Sequence, residues 1–125
     1  MEIYLTITKA IREYFKEKDY EALFLQGGCF WFASLVASWI PNSYLMINHS
    51  KEHCAVVVEH RLYDITGAIS KEGYTYAEER DWSYMKKHYR PNQNLKPLER
   101  YIRTEVEALL SYQKIHWKEQ LNCKN

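Results

Sequence analysis

The sequence predicts an α+β domain in which a buried, cysteine-bearing helix packs on a small antiparallel sheet, flanked by N- and C-terminal helices. Three observations carry that expectation. Apolar residues recur at helical spacing near both ends of the chain, a charge-free apolar run occupies residues 29–40, and two or three short β-prone runs follow it.

Residues 3–18 place Ile7, Ala10, Ile11, Tyr14 and Phe15 on one helical face and Arg12, Glu13 and Lys16 on the other. Gly27-Gly28 breaks the pattern. Residues 29–40 are then almost wholly apolar, so a helix there is expected to be buried nearly all round. Pro41-Asn42 ends it, because proline cannot continue a helix and steers its predecessor away from helical geometry. Strands are expected at residues 44–47, 55–59 and 62–65, with Glu59-His60-Arg61 as a hairpin loop and Thr66-Gly67 as a closing turn. Helical spacing returns over residues 76–88, and Arg90-Pro91-Asn92-Gln93-Asn94 reads as a loop. Residues 97–121 repeat apolar side chains at Leu98, Tyr101, Ile102, Val106, Leu109, Tyr112 and Ile115, a long amphipathic helix with Pro97 in its first turn. No repeat, low-complexity tract or linker divides the chain, and 125 residues is the size of one domain, 1–125.

Composition narrows the function classes. With 17 Lys and Arg against 16 Asp and Glu, the net charge is +1, too little to hold a run of phosphates, so nucleic acid is not an expected partner. No apolar run reaches the roughly 18 residues of a membrane-spanning helix, and Met1-Glu2-Ile3-Tyr4 lacks the segments of a secretory signal. Three cysteines (Cys29, Cys54 and Cys123) are an odd number unlike a disulfide scaffold, which points to a reducing, cytoplasmic setting. The 11 tyrosines and 4 tryptophans read first as packing residues.

The chemistry concentrates in Gly27-Gly28-Cys29. A thiol at a helix N-terminus meets partial positive charge and unpaired N–H groups, which favour its thiolate, and the glycines leave room for a tight turn and a substrate. Taken alone, such a cysteine is as well read as a small buried residue. Two other residues alter that reading. His53 stands at the head of the valine-rich strand, and a hairpin centred near His60 returns Asp64 to its neighbourhood. A thiol, an imidazole and a carboxylate meeting in a water-accessible pocket form an acyl-transfer triad. In the strand itself, His53, Ala55 and Val57 are expected on one face and Cys54, Val56 and Val58 on the other.

Gly27-Gly28-Cys29 at a buried helix start, His53 before a strand, and Leu62-Tyr63-Asp64-Ile65-Thr66-Gly67 together resemble the papain-like superfamily, nearest its compact transglutaminase-like and bacterial or phage cysteine-peptidase members. Ala33, four positions after the cysteine, fits the same pattern, and the resemblance spans about residues 25–68. It implies a papain-like core and a thiol hydrolase, a peptidase or amidase acting on a peptide or protein substrate without cofactor or metal. It also implies Cys29 as nucleophile, His53 as general base and acid, and Asp64 as the group that orients the imidazole. Gln26 stands where such enzymes carry an oxyanion glutamine, although only three positions upstream, and the backbone N–H of Cys29 is the donor that helix geometry favours. Cys54-Ala55-Val56 replaces the aromatic residue that many members place after the histidine.

Other assignments compete. The same triad serves a deamidase or transglutaminase if the acceptor differs, with a cleft lined by the hairpins and Tyr74-Thr75-Tyr76. Aromatic enrichment also suits a non-enzymatic protein-binding module or inhibitor on the same fold. Zinc is disfavoured, because no CxxC or HExxH occurs and neighbouring His53 and Cys54 point to opposite strand faces. His49 reads as a loop residue, His60 as a turn residue, His88 and His116 as surface groups on helices, and Cys123 as incidental in the tail. Glu59 lies six residues beyond His53 and, at ~3.3 Å per residue, too far along the strand to orient it. No phosphate-binding glycine loop is present.

Overall fold

The computed structural model describes residues 1–16, 20–91 and 93–123, with side chains through His116. Helix α1 (Glu2–Phe15) buries Tyr4, Ile7, Ala10 and Ile11, the i, i+3, i+4, i+7 set that its spacing predicts. Tyr14 departs from the expected face; it is exposed and packs edge-on against Phe15 at 5.1 Å. Residues 17 and 18, placed in this helix by the pattern, lie outside the described residues. Helix α2 (Tyr20–Leu25) is only one and a half turns long and gave no periodic signal. Its Phe24 is fully buried, with ring centroids 5.6 Å from Trp31 and 6.1 Å from both Phe15 and Phe32.

Helix α3 (Cys29–Trp39) is the centre of the core. Cys29, Phe30, Phe32, Ala33 and Val36 are buried, whereas Trp31, Ser34 and Leu35 are half-buried and Ser38 is exposed. The helix is therefore covered on one face, not all round, because the two serines and the partly covered apolar residues turn away from the sheet. That outward face forms the wall of a cavity described below.

The sheet comprises β1 (Tyr44–Asn48), β2 (Cys54–Val58), β3 (Arg61–Asp64), β4 (Gly67–Ile69) and β5 (Tyr74–Tyr76) in the order β4-β3-β2-β1-β5, antiparallel throughout. Strand β2 is central and buried at every residue, which its run of three valines suits. From Cys54 onward its alternation is the expected one: Cys54, Val56 and Val58 join α3 in the main core, while Ala55 and Val57 form a second cluster with Leu62; His53, expected on the latter face, lies ahead of the strand. Strands β4 and β5 have three residues each and were not anticipated; Tyr74–Tyr76 pairs with β1, so the following helix, α4 (Glu79–His88), begins three residues later than its spacing suggests. Reciprocal hydrogen bonds between Glu78 and Asp81 cap α4.

The β2–β3 connection is a two-residue turn, with Arg61 already in β3. Glu59 (φ 51°) and His60 (φ 72°) both adopt left-handed backbone, the geometry of a type I′ turn, which favours Asn and Gly. Replacing His60 by Gly is expected to relieve that strain and stabilise the fold by about 1 kcal/mol, read as a rise of a few degrees in thermal unfolding. An unchanged or lower midpoint contradicts it.

Helix α5 (Lys96–Cys123) buries Leu98, Ile102 and Val106 and packs along α1. The predicted apolar stripe continues past that contact, but Tyr112 and Ile115 are 64% and 60% exposed. Asn92 and the Cys123 side chain lie outside the described residues. Among the described residues no helix is long and apolar enough to cross a membrane.

Candidate active site

The turn before Cys29 requires both glycines. The Gly28 N–H donates to the Leu23 carbonyl at 2.8 Å, and a Cβ on Gly28 would lie 2.6 Å from that same oxygen. A Cβ on Gly27 would come within 2.9 Å of the Arg90 carbonyl oxygen. The chain can thus enter α3 at this angle only without side chains at 27 and 28.

His53 sits one residue ahead of β2, on a loop fastened by Asn48. The Asn48 Oδ1 accepts from the backbone N–H groups of Glu52 (3.0 Å) and His53 (3.1 Å), and the Asn48 N–H donates to the His53 carbonyl at 3.1 Å. Lys51 in the same loop pairs with Asp81 of α4 at 3.3 Å. The loop is thereby tied both to its own strand and to a helix.

Asp64 ends β3, opposite the start of β2, as the hairpin predicts. Its Oδ2 lies 3.0 Å from His53 Nε2. Its Oδ1 accepts from the Thr66 N–H at 2.8 Å and the Thr66 hydroxyl at 2.5 Å, an Asx-type turn. The Tyr4 hydroxyl donates to the Asp64 backbone carbonyl at 2.5 Å. With Nε2 committed to Asp64, Nδ1 is the ring nitrogen left to serve a thiol. Tyr74 packs edge-on against the imidazole at 6.3 Å.

The electrostatics follow from this arrangement. Hydrogen bonds to Asp64 and then to the Cys29 thiol raise the His53 pKa to about 9, against burial, which lowers it. Burial disfavours the Asp64 carboxylate, yet hydrogen bonds from His53 and Thr66 outweigh it and hold the group below its ordinary range. At neutral pH the pair is therefore imidazolium and carboxylate. Burial pushes the Cys54 thiol well up, with charge at Cys29 and Asp81 adding to it, which leaves Cys54 a packing residue with little nucleophilic character.

Two expectations need correction. Cys29 is 1% exposed, so its sulfur is closed off rather than open to water; its one other polar contact is a long, weak one to the Glu52 carbonyl at 4.0 Å. The Cys29 N–H is not a free oxyanion donor, since it is directed at the Gln26 carbonyl at 3.5 Å across the turn. The Gln26 side chain, the other oxyanion candidate, is exposed in the turn before α3. The remaining histidines stay apart: His49 and His60 are exposed in turns, His88 lies beside Tyr84 at 4.4 Å, and His116 stacks on Tyr112 at 5.7 Å. Among the described residues no three His, Cys, Asp or Glu side chains gather as a metal-holding group. Asn48, Thr66 and Tyr4 were missed; only Thr66, two residues after an aspartate, left a local signal.

Comparison with known proteins adds a family. Residues 7–103 match the phage YunG-like proteins. The chain belongs to the phage YunG-like family. The match runs from α1 into α5 and contains Cys29, His53 and Asp64. It overturns the resemblance to papain-like and transglutaminase-like enzymes, and with it the hydrolase, thiol-protease and cysteine-peptidase assignments that the resemblance carried. The physical reason is plain: Gly-Gly-Cys, a histidine before a strand and an aspartate in a hairpin are short pieces that any buried helix packed on a hairpin can present. The phage half of the bacterial-or-phage expectation agrees with the family. No curated protein and no solved structure matches the chain.

Proposed function

We propose that Cys29, His53 and Asp64 form a thiol-dependent acyl-transfer site acting on an amide carbonyl. The observation that carries this reading is an imidazole held at 3.0 Å by a buried carboxylate, with the Cys29 thiol near enough to help raise its pKa. In the first step the Cys29 thiolate attacks the carbonyl carbon, the S–C bond forms, and the C–N bond breaks as the His53 imidazolium passes its proton to the leaving amine. In the second, water or an amine gives its proton to the now neutral imidazole, attacks the thioester and releases the thiolate. Asp64 keeps the ring in one orientation through both steps.

A small activated ester tests the first step without knowledge of the substrate. On mixing with p-nitrophenyl acetate, the protein is expected to release one equivalent of p-nitrophenolate in a burst and to carry an acetyl group on Cys29 by peptide mass spectrometry. Cys29→Ala is expected to lose the burst. An undiminished burst in that variant, or none in the parent protein, overturns the reading. The near-complete burial of Cys29 favours the second reading, a non-enzymatic protein-binding module in which the three residues brace the fold. A parent protein without a burst that still forms a stoichiometric complex after Cys29→Ala belongs to that class.

A further inference from the structure

A cavity of about 440 Å³ opens on the outward face of α3, between Phe30, Trp31 and Leu35 on one side and Tyr89, Arg90 and Pro91 on the other. Its volume is that of a small-molecule site. It adjoins the nucleophile's turn. The Arg90 carbonyl rests against Gly27 so closely that a Cβ would fall 2.9 Å away, and Phe30 directly follows Cys29 in the chain. The same loop thus closes the cavity and seats the turn into α3.

Three features specify what fits. The walls are aromatic and aliphatic, so the body of the ligand is apolar. The Ser34 hydroxyl, which also lines the cavity, is buried and has no hydrogen-bond partner among the described residues. A buried hydroxyl left in that state costs free energy, and it marks this wall of the cavity as imperfectly packed. Finally, Lys86 and Arg90 are exposed cations on the lining, and neither pairs with a carboxylate among the described residues. The Arg90 Nε donates to the Lys86 backbone carbonyl at 3.0 Å, which holds the guanidinium against the end of α4. Glu99 offsets one of these charges, and one positive charge remains.

We propose that this cavity is a recognition site for an apolar group, aryl or branched alkyl, that bears a carboxylate, with the carboxylate on Arg90 and Lys86 and the body between Trp31 and Tyr89. The cavity's ligand class stands on its own lining; that the ligand is part of an acyl donor presented to Cys29 rests on the acyl-transfer reading above.

The test uses the full chain carrying Cys29→Ala, so that binding is read without chemistry. Titration with 3-phenylpropionate, followed by tryptophan fluorescence and calorimetry, is expected to saturate. The uncharged 3-phenylpropanol is expected to bind about tenfold more weakly. Arg90→Glu, at an exposed position, is expected to weaken the acid about tenfold and leave the alcohol within about twofold. Ser34→Phe, which fills the cavity, is expected to abolish binding of both. Absence of saturation overturns the proposal, as do equal affinities for acid and alcohol, an Arg90→Glu affinity like the parent's, or retained binding by folded Ser34→Phe protein. These outcomes are independent of the p-nitrophenyl acetate burst, so failure of the cavity and failure of the thiol reading are told apart.

Discussion

Asp64→Ala is expected to destabilise the protein by about 3–5 kcal/mol near pH 6. The substitution leaves a half-buried imidazole without its acceptor and frees two Thr66 donors that the carboxylate satisfies. Its pH dependence follows from the raised His53 pKa. Relative to an ordinary 6.5, a folded value of about 9 contributes about 3 kcal/mol, fully present below pH 6.5 and lost progressively as pH climbs from 6.5 through 9. The lowered Asp64 pKa works the other way, since its share is present above the ordinary carboxylate value and fades as pH falls through the folded one. Chemical denaturation of the parent and Asp64→Ala proteins is therefore expected to give the widest gap between about pH 5 and 6.5, narrowing toward pH 9. A gap that is constant with pH rules out the His53–Asp64 pair as its source.

The second large effect is steric. Gly28 has φ −96°, a value any residue adopts, so the objection to a side chain there is not backbone strain. It is the Leu23 carbonyl oxygen, 2.6 Å from where a Cβ would stand and held there by the Gly28 N–H itself. Neither partner can withdraw without breaking that hydrogen bond. Gly28→Ala is expected to cost about 2–4 kcal/mol in unfolding free energy, the combined loss of that bond and repacking around Phe24, whose ring atom would also be 3.2 Å away. Because the turn sets the entry into α3, the variant is also expected to lose the Cys29 burst even at temperatures where it remains folded. Wild-type stability and burst together contradict the account.

Those two residues also show how much the sequence discloses. The break at Gly27-Gly28, the start of α3 at Cys29 and the stop at Pro41 were legible because glycine and proline act on the local backbone. The meeting of His53 with Asp64 was legible because a tight hairpin fixes its register within a residue. Helix α2 and strands β4 and β5 were not, since six or three residues hold too little of any period. The burial of the Cys29 sulfur, the clamp from Asn48 and the hydroxyl of Tyr4 are contacts between segments distant in the chain, which no local pattern encodes. The stripe on α5 was visible to Ile115, but that Tyr112 and Ile115 stay exposed depends on where α1 begins, since Gln113 already meets Glu2 at its first residue. The papain-like likeness arose from the legible pieces alone, and the family assignment corrected it.

The bond from Tyr4 to the Asp64 carbonyl joins the first helix to the far end of a hairpin sixty positions away. Four segments distant in the chain, α1, the head of α3, the Asn48 loop and β3, must all be in place before the imidazole has both neighbours. A partly assembled chain therefore has the ingredients but not the constellation, and any chemistry of Cys29 that depends on His53 switches on with the last docking event, making it an all-or-none reporter of native assembly.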